Sequence, residues 1–267
     1  MLNNFCVFIL THNRHDRVYT YKTLRDKNYT GKIFIILDDE DKSYNEYVKL
    51  YKDQVIVFSK KEAEKTFDIG DNFNDRRAVV FARNACFNIA KKLNYKYFLV
   101  LDDDYTDFRW SFDNNKKYVT NKYMKNLNKI FEIMLTFMNG QISRKIMNSF
   151  LCSVDRPFQF VGRINEDVNA YCYFGNKGHL FMTLAQLRLE QKATQSNAGG
   201  LTDIYLGSGT YVKSFYSVLY NPSSVKVRLM GQSNKRLHHS INWDATVPKI
   251  ISEKFKKYGK KEIKNQK

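Results

Sequence analysis

Apolar residues in the first hundred positions fall into short unbroken runs, separated by polar segments of helical period. Phe5-Cys-Val-Phe-Ile-Leu10, Lys32-Ile-Phe-Ile-Ile-Leu37 and Val55-Ile-Val-Phe58 show no polar alternation and are too short for buried helices. That is the pattern of strands covered on both faces. The polar-rich stretches 16–25 and 43–51 between them read as helices. From 77 to 93, Val79, Ala82, Cys86, Ile89, Ala90 and Leu93 recur at the spacing of an amphipathic helix. Tyr95 to Leu101 makes a fourth strand, which runs directly into Asp102-Asp103-Asp104. Strand and helix in this alternation predict an α/β protein with a mostly parallel central sheet and helices on both faces.

The second half is less regular. Met124, Leu127, Phe131, Met134 and Met138 form one stripe, which predicts a helix over 121–138 with a core-facing side. Beyond Phe158, Gly-rich and aromatic-rich segments suggest short strands, among them Tyr211 to Tyr220 and Val225 to Leu229. No Pro-, Gly- or Ser-rich linker divides the chain, so the organisation expected is one domain over 1–253 with a basic tail at 254–267.

Composition removes several classes. The chain has 267 residues, 43% of them apolar, with 3 prolines and 12 glycines, which excludes a mainly disordered or collagen-like protein. The longest apolar run is Phe5–Leu10, far short of the ~20 residues that span a bilayer. The basic n-region and small-residue cleavage site of a signal peptide are missing. Cys6, Cys86, Cys152 and Cys172 lie far apart without a CxxC pair, against a disulfide framework or a zinc knuckle. A soluble protein of the cytoplasm (the host cytoplasm for a bacteriophage protein) is the expectation. The net charge is +17. Part of it follows from a Lys- and Asn-rich composition of the kind an AT-rich genome encodes, and part sits in the tail, which has seven lysines and one acid. The remainder favours a polyanionic partner, nucleic acid or an anionic surface.

In an open α/β sheet, ligands bind beyond the carboxyl ends of the strands. Three strand ends here carry polar clusters: His12-Asn13-Arg14, Asp38-Asp39-Glu40 and Asp102-Asp103-Asp104. Adjacent carboxylates repel one another unless a cation offsets them, and a hard divalent ion takes carboxylate oxygens. In extended backbone, residues two apart share a face, so Asp102 and Asp104 suit a shared Mg²⁺ or Mn²⁺. A solvated loop remains the alternative, most of all for Asp38-Asp39. Arg83, on the helix leading into the acidic strand, with Arg76 two turns back, is placed to contact a nucleotide or orient carboxylates; an ordinary surface cation is the other reading. Glu166 and Asp167 form a second acidic pair, either a base for an acceptor hydroxyl or acids favoured at a helix N-terminus. His238 and His239 are adjacent and point different ways, so one metal would take only one of them.

Together these residues resemble a GT-A glycosyltransferase. Ala82-Arg-Asn-Ala85 followed by Phe98-Leu-Val-Leu-Asp-Asp-Asp104 looks like that family's Arg-Asn helix and DxD strand, and Glu166-Asp167 like its acceptor-side ED motif. The chain is most similar to the TET-associated glycosyltransferases, which include base J glucosyltransferases and phage enzymes that glycosylate hydroxymethylpyrimidines in DNA. The resembling stretches are Arg163–Val168, Thr194–Gly200, Thr202–Tyr205, Gly209–Ser214, Arg236–His239 and Pro248–Ile251. The resemblance implies a GT-A-like fold with a Rossmann-like donor half (about 1–110) and an acceptor half (about 111–253). It implies a nucleotide sugar, UDP-glucose foremost, lying against His12, Asn13, Arg14, Asp38 and Asp39, with Arg83 and Asp103 also in the donor site. The diphosphate would be held through Mn²⁺ or Mg²⁺ at Asp102 and Asp104, completed by His238 or His239. Glu166 or Asp167 would deprotonate a hydroxymethyl group on a DNA base, and the Gln195–Gly200 loop would meet sugar or base. DNA is the implied partner, with no stable membrane insertion and no protein partner. The competing readings are a GT-A enzyme acting on a surface polysaccharide, lipid or protein, and a metal-dependent nuclease or nucleotidyltransferase. No helix-turn-helix or zinc-finger pattern supports a non-catalytic DNA-binding protein.

Overall fold

The computed structural model describes residues 2–139, 149–181, 183–192, 210–231 and 235–246. Five strands form the central sheet: β1 (Phe5–Leu10), β2 (Lys32–Asp38), β3 (Val55–Phe58), β4 (Tyr97–Asp102) and β6 (Phe150–Ser153), in the order β3-β2-β1-β4-β6. β1 pairs in parallel with β2 and β4, β2 pairs in parallel with β3, and only β6 runs antiparallel. The fold is therefore mixed α/β with a mostly parallel sheet.

Every residue of β1 is buried, and its side chains alternate between two cores. Phe5, Val7 and Ile9 face α1 (Tyr19–Asp26), α2 (Tyr44–Tyr51) and α5 (Leu127–Asn139). Cys6, Phe8 and Leu10 face α3 (Lys60–Glu64), α4 (Val80–Lys92) and α6 (Glu166–Gly175). Burial on both faces explains why the strands read as continuous apolar runs. The chain leaves β1 toward β2 on one side and returns to β4 on the other, so the strand order reverses between β1 and β4. That switch point opens a crevice at the carboxyl ends of these two strands.

Two antiparallel ribbons flank the sheet. One joins β5 (Tyr105–Trp110) to β7 (Leu187–Gln191), and the other joins β8 (Val225–Met230) to β9 (Arg236–Ile241). The segment expected as a strand at Tyr211–Tyr220 is a helix, α7 (Thr210–Tyr220). Its β-favouring Tyr, Val and Phe residues are overridden by tertiary packing. Ser214 and Ser217, fully buried, let α7 lie close against α6 and β9, while Tyr211, Phe215 and Leu219 point outward. Arg76 is not on the α4 flank as the spacing suggested. It precedes the helix and pairs with Glu40 and Glu64. The four cysteines are buried free thiols. The Gln195–Gly200 loop, Thr202–Tyr205, Pro248–Ile251 and the 254–267 tail lie outside the described residues.

Candidate active site

The acidic turn at the end of β4 is fixed from beneath by α1. The hydroxyl of Thr20 donates to the Asp102 carbonyl at 2.6 Å and accepts from the Tyr105 N–H at 2.9 Å, and the Thr20 N–H donates to the Asp103 carbonyl at 3.1 Å. Thr23 adds a hydrogen bond to the Tyr105 carbonyl at 3.0 Å. One buried face of a short helix thus satisfies much of the turn's backbone, at Asp102, Asp103 and Tyr105.

The three carboxylates have different surroundings. Asp103 is buried, accepts from the Thr11 hydroxyl at 2.7 Å, and pairs with Arg14 at 3.2 Å. Because Thr11 donates to Asp103, the Tyr47 hydroxyl 2.9 Å away donates to Thr11, and it accepts in turn from the Arg14 N–H. Burial raises the Asp103 carboxyl above its ordinary range despite these partners. Asp102 is 28% exposed, and its ion-pair partner among the described residues is Arg83 at 3.7 Å. Burial, and then repulsion from Asp104, Asp103 and Glu166, outweigh Arg83 and push the Asp102 carboxyl up to about 7. Asp104, also raised by burial and by Asp103, has no ion pair among the described residues.

Arg83 is the link between the two acidic motifs. Its side chain is 2% exposed, packed over the rings of Phe150 and Phe160, and pairs with Glu166 at 2.5 Å. Burial opposes its charge, and the Glu166 and Asp102 carboxylates more than offset it, so its pKa is raised. Glu166 is raised by burial against the pull of Arg83. Arg83 is thus a buried, paired arginine and not a surface cation. Neighbouring Asn84 fixes the chain before α6 by donating to and accepting from the Phe160 backbone at 2.9 Å each.

Asn165 sets the direction of α6. It has a left-handed φ of 58°, a conformation Asn tolerates better than most residues. Its side chain donates to the Lys213 carbonyl at 2.8 Å and to the Ser217 hydroxyl at 3.3 Å, and lies 3.3 Å from His239 Nδ1. The helix thus begins with Glu166 turned onto Arg83. Asp167 accepts a hydrogen bond from the Val168 N–H at 2.8 Å and has no ion pair among the described residues. His239 faces this junction, whereas His238 lies on the opposite face of β9, across from Arg228.

On the other side of the crevice, His12 bonds to Asp38 at 2.8 Å and the buried Lys60 ammonium meets Asp38 at 3.2 Å. Burial works against the Asp38 charge, but these partners hold its carboxyl below the usual range. Asp39 does not face the crevice alone: it accepts from the Lys60 N–H at 2.9 Å, starting α3. Asn13 has a positive φ of 53°, and its N–H donates to Asp41 at 2.8 Å. Asp41, Thr11, Tyr47, Thr20 and Lys60 were not singled out from sequence. Lys60 was within reach, because it follows a strand end by the same rule that marked the other three clusters.

Asp102 and Asp104, hard oxygen donors without adequate protein counter-charge, fit the divalent ion that the resemblance implies. Among the described residues no three His, Cys, Asp or Glu side chains converge on one point. Neither His238 nor His239 is therefore gathered with the two aspartates into a ready-made cage.

A mostly parallel sheet with an acidic turn at its switch point, tied through a buried arginine to a second acidic motif, is the frame of an α/β glycosyltransferase. Residues 5–142 match the model of the TET-Associated Glycosyltransferase family. The chain belongs to that family. The match spans the sheet and the acidic turn and ends before Glu166-Asp167. No curated protein matches by sequence. Among solved structures, the fold is similar to glucosyl-3-phosphoglycerate synthase from Mycobacterium tuberculosis in complex with Mn²⁺, uridine diphosphate and phosphoglyceric acid. Identity is 10%, coverage is 89% of this chain and 86% of that chain, and the TM-score is 0.38. No helix among the described residues is long and apolar enough to cross a membrane.

Proposed function

We propose that this glycosyltransferase moves glucose from UDP-glucose to the hydroxymethyl group of a modified pyrimidine in DNA, with a divalent metal at Asp102 and Asp104. The observation that carries the reading is the buried Arg83, which holds Glu166 at 2.5 Å and Asp102 at 3.7 Å. It joins a donor-side and an acceptor-side acidic motif into one site. Family membership and the basic body of the chain support a DNA acceptor. When bound, the metal would neutralise charge developing on the leaving diphosphate.

The remaining steps belong to the chain's own residues. Arg14 and Lys60, which flank the crevice, attract the donor's anionic groups. His12 and Asp38 line the nucleotide side. Arg83 keeps Glu166 engaged, so Glu166 is committed to positioning. Asp167, with no ion pair among the described residues, takes the proton of the acceptor hydroxyl as the sugar carbon is attacked.

The test is to incubate the protein with Mn²⁺, a panel of labelled UDP-sugars, and DNA carrying hydroxymethylcytosine, hydroxymethyluracil or neither. Label should enter only hydroxymethylated DNA, and Asp102→Ala and Asp104→Ala should abolish transfer. UDP-sugar hydrolysis without transfer to any DNA would refute the acceptor and point to a polysaccharide, lipid or protein instead.

A further inference from the structure

The β8–β9 ribbon has two unlike faces. Register places Val225 and Ile241, Val227 and His239, and Leu229 and Leu237 on one face. Most of this face turns inward: Val225 is buried, Val227, His239 and Ile241 are half-buried, the Leu237 carbonyl accepts from Ser214 of α7, and His239 lies beside Asn165, while Leu229 near the ribbon's tip is exposed. The opposite face pairs Lys226 with Ser240, Arg228 with His238, and Met230 with Arg236. Lys226, Arg228 and Arg236 are all exposed.

These cations differ from several arginines elsewhere in the molecule. Arg14, Arg76, Arg83 and Arg109 are each held by a carboxylate. Lys226, Arg228 and Arg236 have no ion pair among the described residues. No acid adjoins them in sequence, because residues 204–243 contain no Asp or Glu. A row of unpaired like charges on one face of a ribbon costs repulsion in the free protein. Such a row is suited to a partner with regularly spaced negative charge.

We infer that the outer face of the β8–β9 ribbon holds the phosphodiester backbone of the polynucleotide acceptor. The inference rests on the proposed DNA acceptor and names the surface that grips it. The same two strands carry both functions: the outer face meets phosphates, and the inner face contacts Asn165, the residue that starts the helix of Glu166 and Asp167. Backbone binding and acceptor positioning are thereby built on one rigid element. A two-stranded ribbon is also narrow enough to follow a duplex groove.

The experiment compares the full chain with a charge-removed variant, K226Q/R228Q/R236Q, and a charge-retaining one, K226R/R228K/R236K. Fluorescence anisotropy follows binding to a hydroxymethylated duplex as salt is raised. Each phosphate contact contributes about 0.9 to the slope of log K against log salt, so the glutamine variant should lose about 2.7 of that slope. Raising salt from about 50 to about 200 mM should then weaken the wild type roughly 40-fold more than the variant. The charge-retaining variant should keep the wild-type slope, and UDP-glucose hydrolysis should be unchanged in all three proteins. Unfolding curves that coincide with wild type show that the glutamine variant is intact. A glutamine variant with the wild-type slope, while the wild type still glycosylates DNA, overturns the ribbon assignment and leaves the function standing. A wild type that neither binds nor glycosylates any DNA overturns both. Loss of binding to phosphatidylserine vesicles with unchanged DNA binding would assign the face to a membrane and overturn the inference.

Discussion

Replacing Arg83 with Met, a side chain of similar reach without charge, tests whether the two acidic motifs are coupled through it. The guanidinium is buried, 2.5 Å from Glu166 and 3.7 Å from Asp102. Its removal strands carboxylates that have no second ion-pair partner among the described residues, and breaking a buried pair in this way costs about 3–5 kcal/mol. Neutralising Glu166 as well removes the main stranded charge. R83M/E166Q should therefore be more stable than R83M alone, with a coupling of about 1.5 kcal/mol or more, within the range for groups in contact. Urea denaturation followed by circular dichroism gives all four corners of the cycle. The pH dependence provides a second check. Without Arg83 the buried carboxyls rise further above their unfolded values, so their contribution is present in acid and lost as pH rises. The R83M penalty should accordingly be smaller near about pH 5.5 than near about pH 7.5. A penalty below about 1 kcal/mol that simply adds to that of E166Q would refute the bridging role.

Three further outcomes follow from the geometry. The Asp102 carboxyl stands at about 7, above its ordinary value of 3.8, so its contribution to metal-free stability is present below the ordinary value and lost as pH climbs through neutrality. Thermal unfolding should show this decline in wild type and its loss in Asp102→Asn; identical profiles would contradict the assignment. Thr20→Val removes a donor and an acceptor from the acidic turn and should cost about 1–3 kcal/mol, read by urea unfolding, with weaker Mn²⁺–UDP binding by calorimetry. Gly162 has φ +79°, and an added Cβ would lie 2.5 Å from Asn169 Nδ2 and 2.7 Å from the Tyr220 ring. Gly162→Ala should therefore lose more than about 1 kcal/mol in the same assay.

Legibility of the fold followed burial. β1, β2, β3 and β4 were readable because both of their faces are covered, which leaves unbroken apolar runs. α7 was misread because its aromatic and β-branched residues carry a strand signature, and only the close packing of Ser214 and Ser217 reveals the helix. β5, β7 and β9 are half-exposed ribbon strands with mixed polarity, and β5 lies immediately after a polar turn. The acidic turn and the ED pair stood out as carboxylates in costly proximity. Their connection did not, since Arg83 and Glu166 lie 83 positions apart and only the sheet brings them together. For the same reason Arg163 went unnoticed as a clamp on Asp71 and Asp75, two residues of a distant loop. The sequence showed that His238 and His239 point different ways but not which faces the site, and the β8–β9 register puts His239 beside Asn165 and His238 across from Arg228.

The proposed base is Asp167, acting on an acceptor hydroxyl at a site whose donor side is the acidic turn. Single-turnover transfer of labelled glucose from UDP-glucose to hydroxymethylated DNA, in Asp167→Asn against wild type, tests it most directly. A lost general base lowers the rate by about 10²- to 10⁴-fold, so Asp167→Asn should lose that much with Mn²⁺–UDP affinity unchanged. Transfer by Asp167→Asn at the wild-type rate, or wild-type transfer that does not distinguish hydroxymethylated from unmodified DNA, would contradict it.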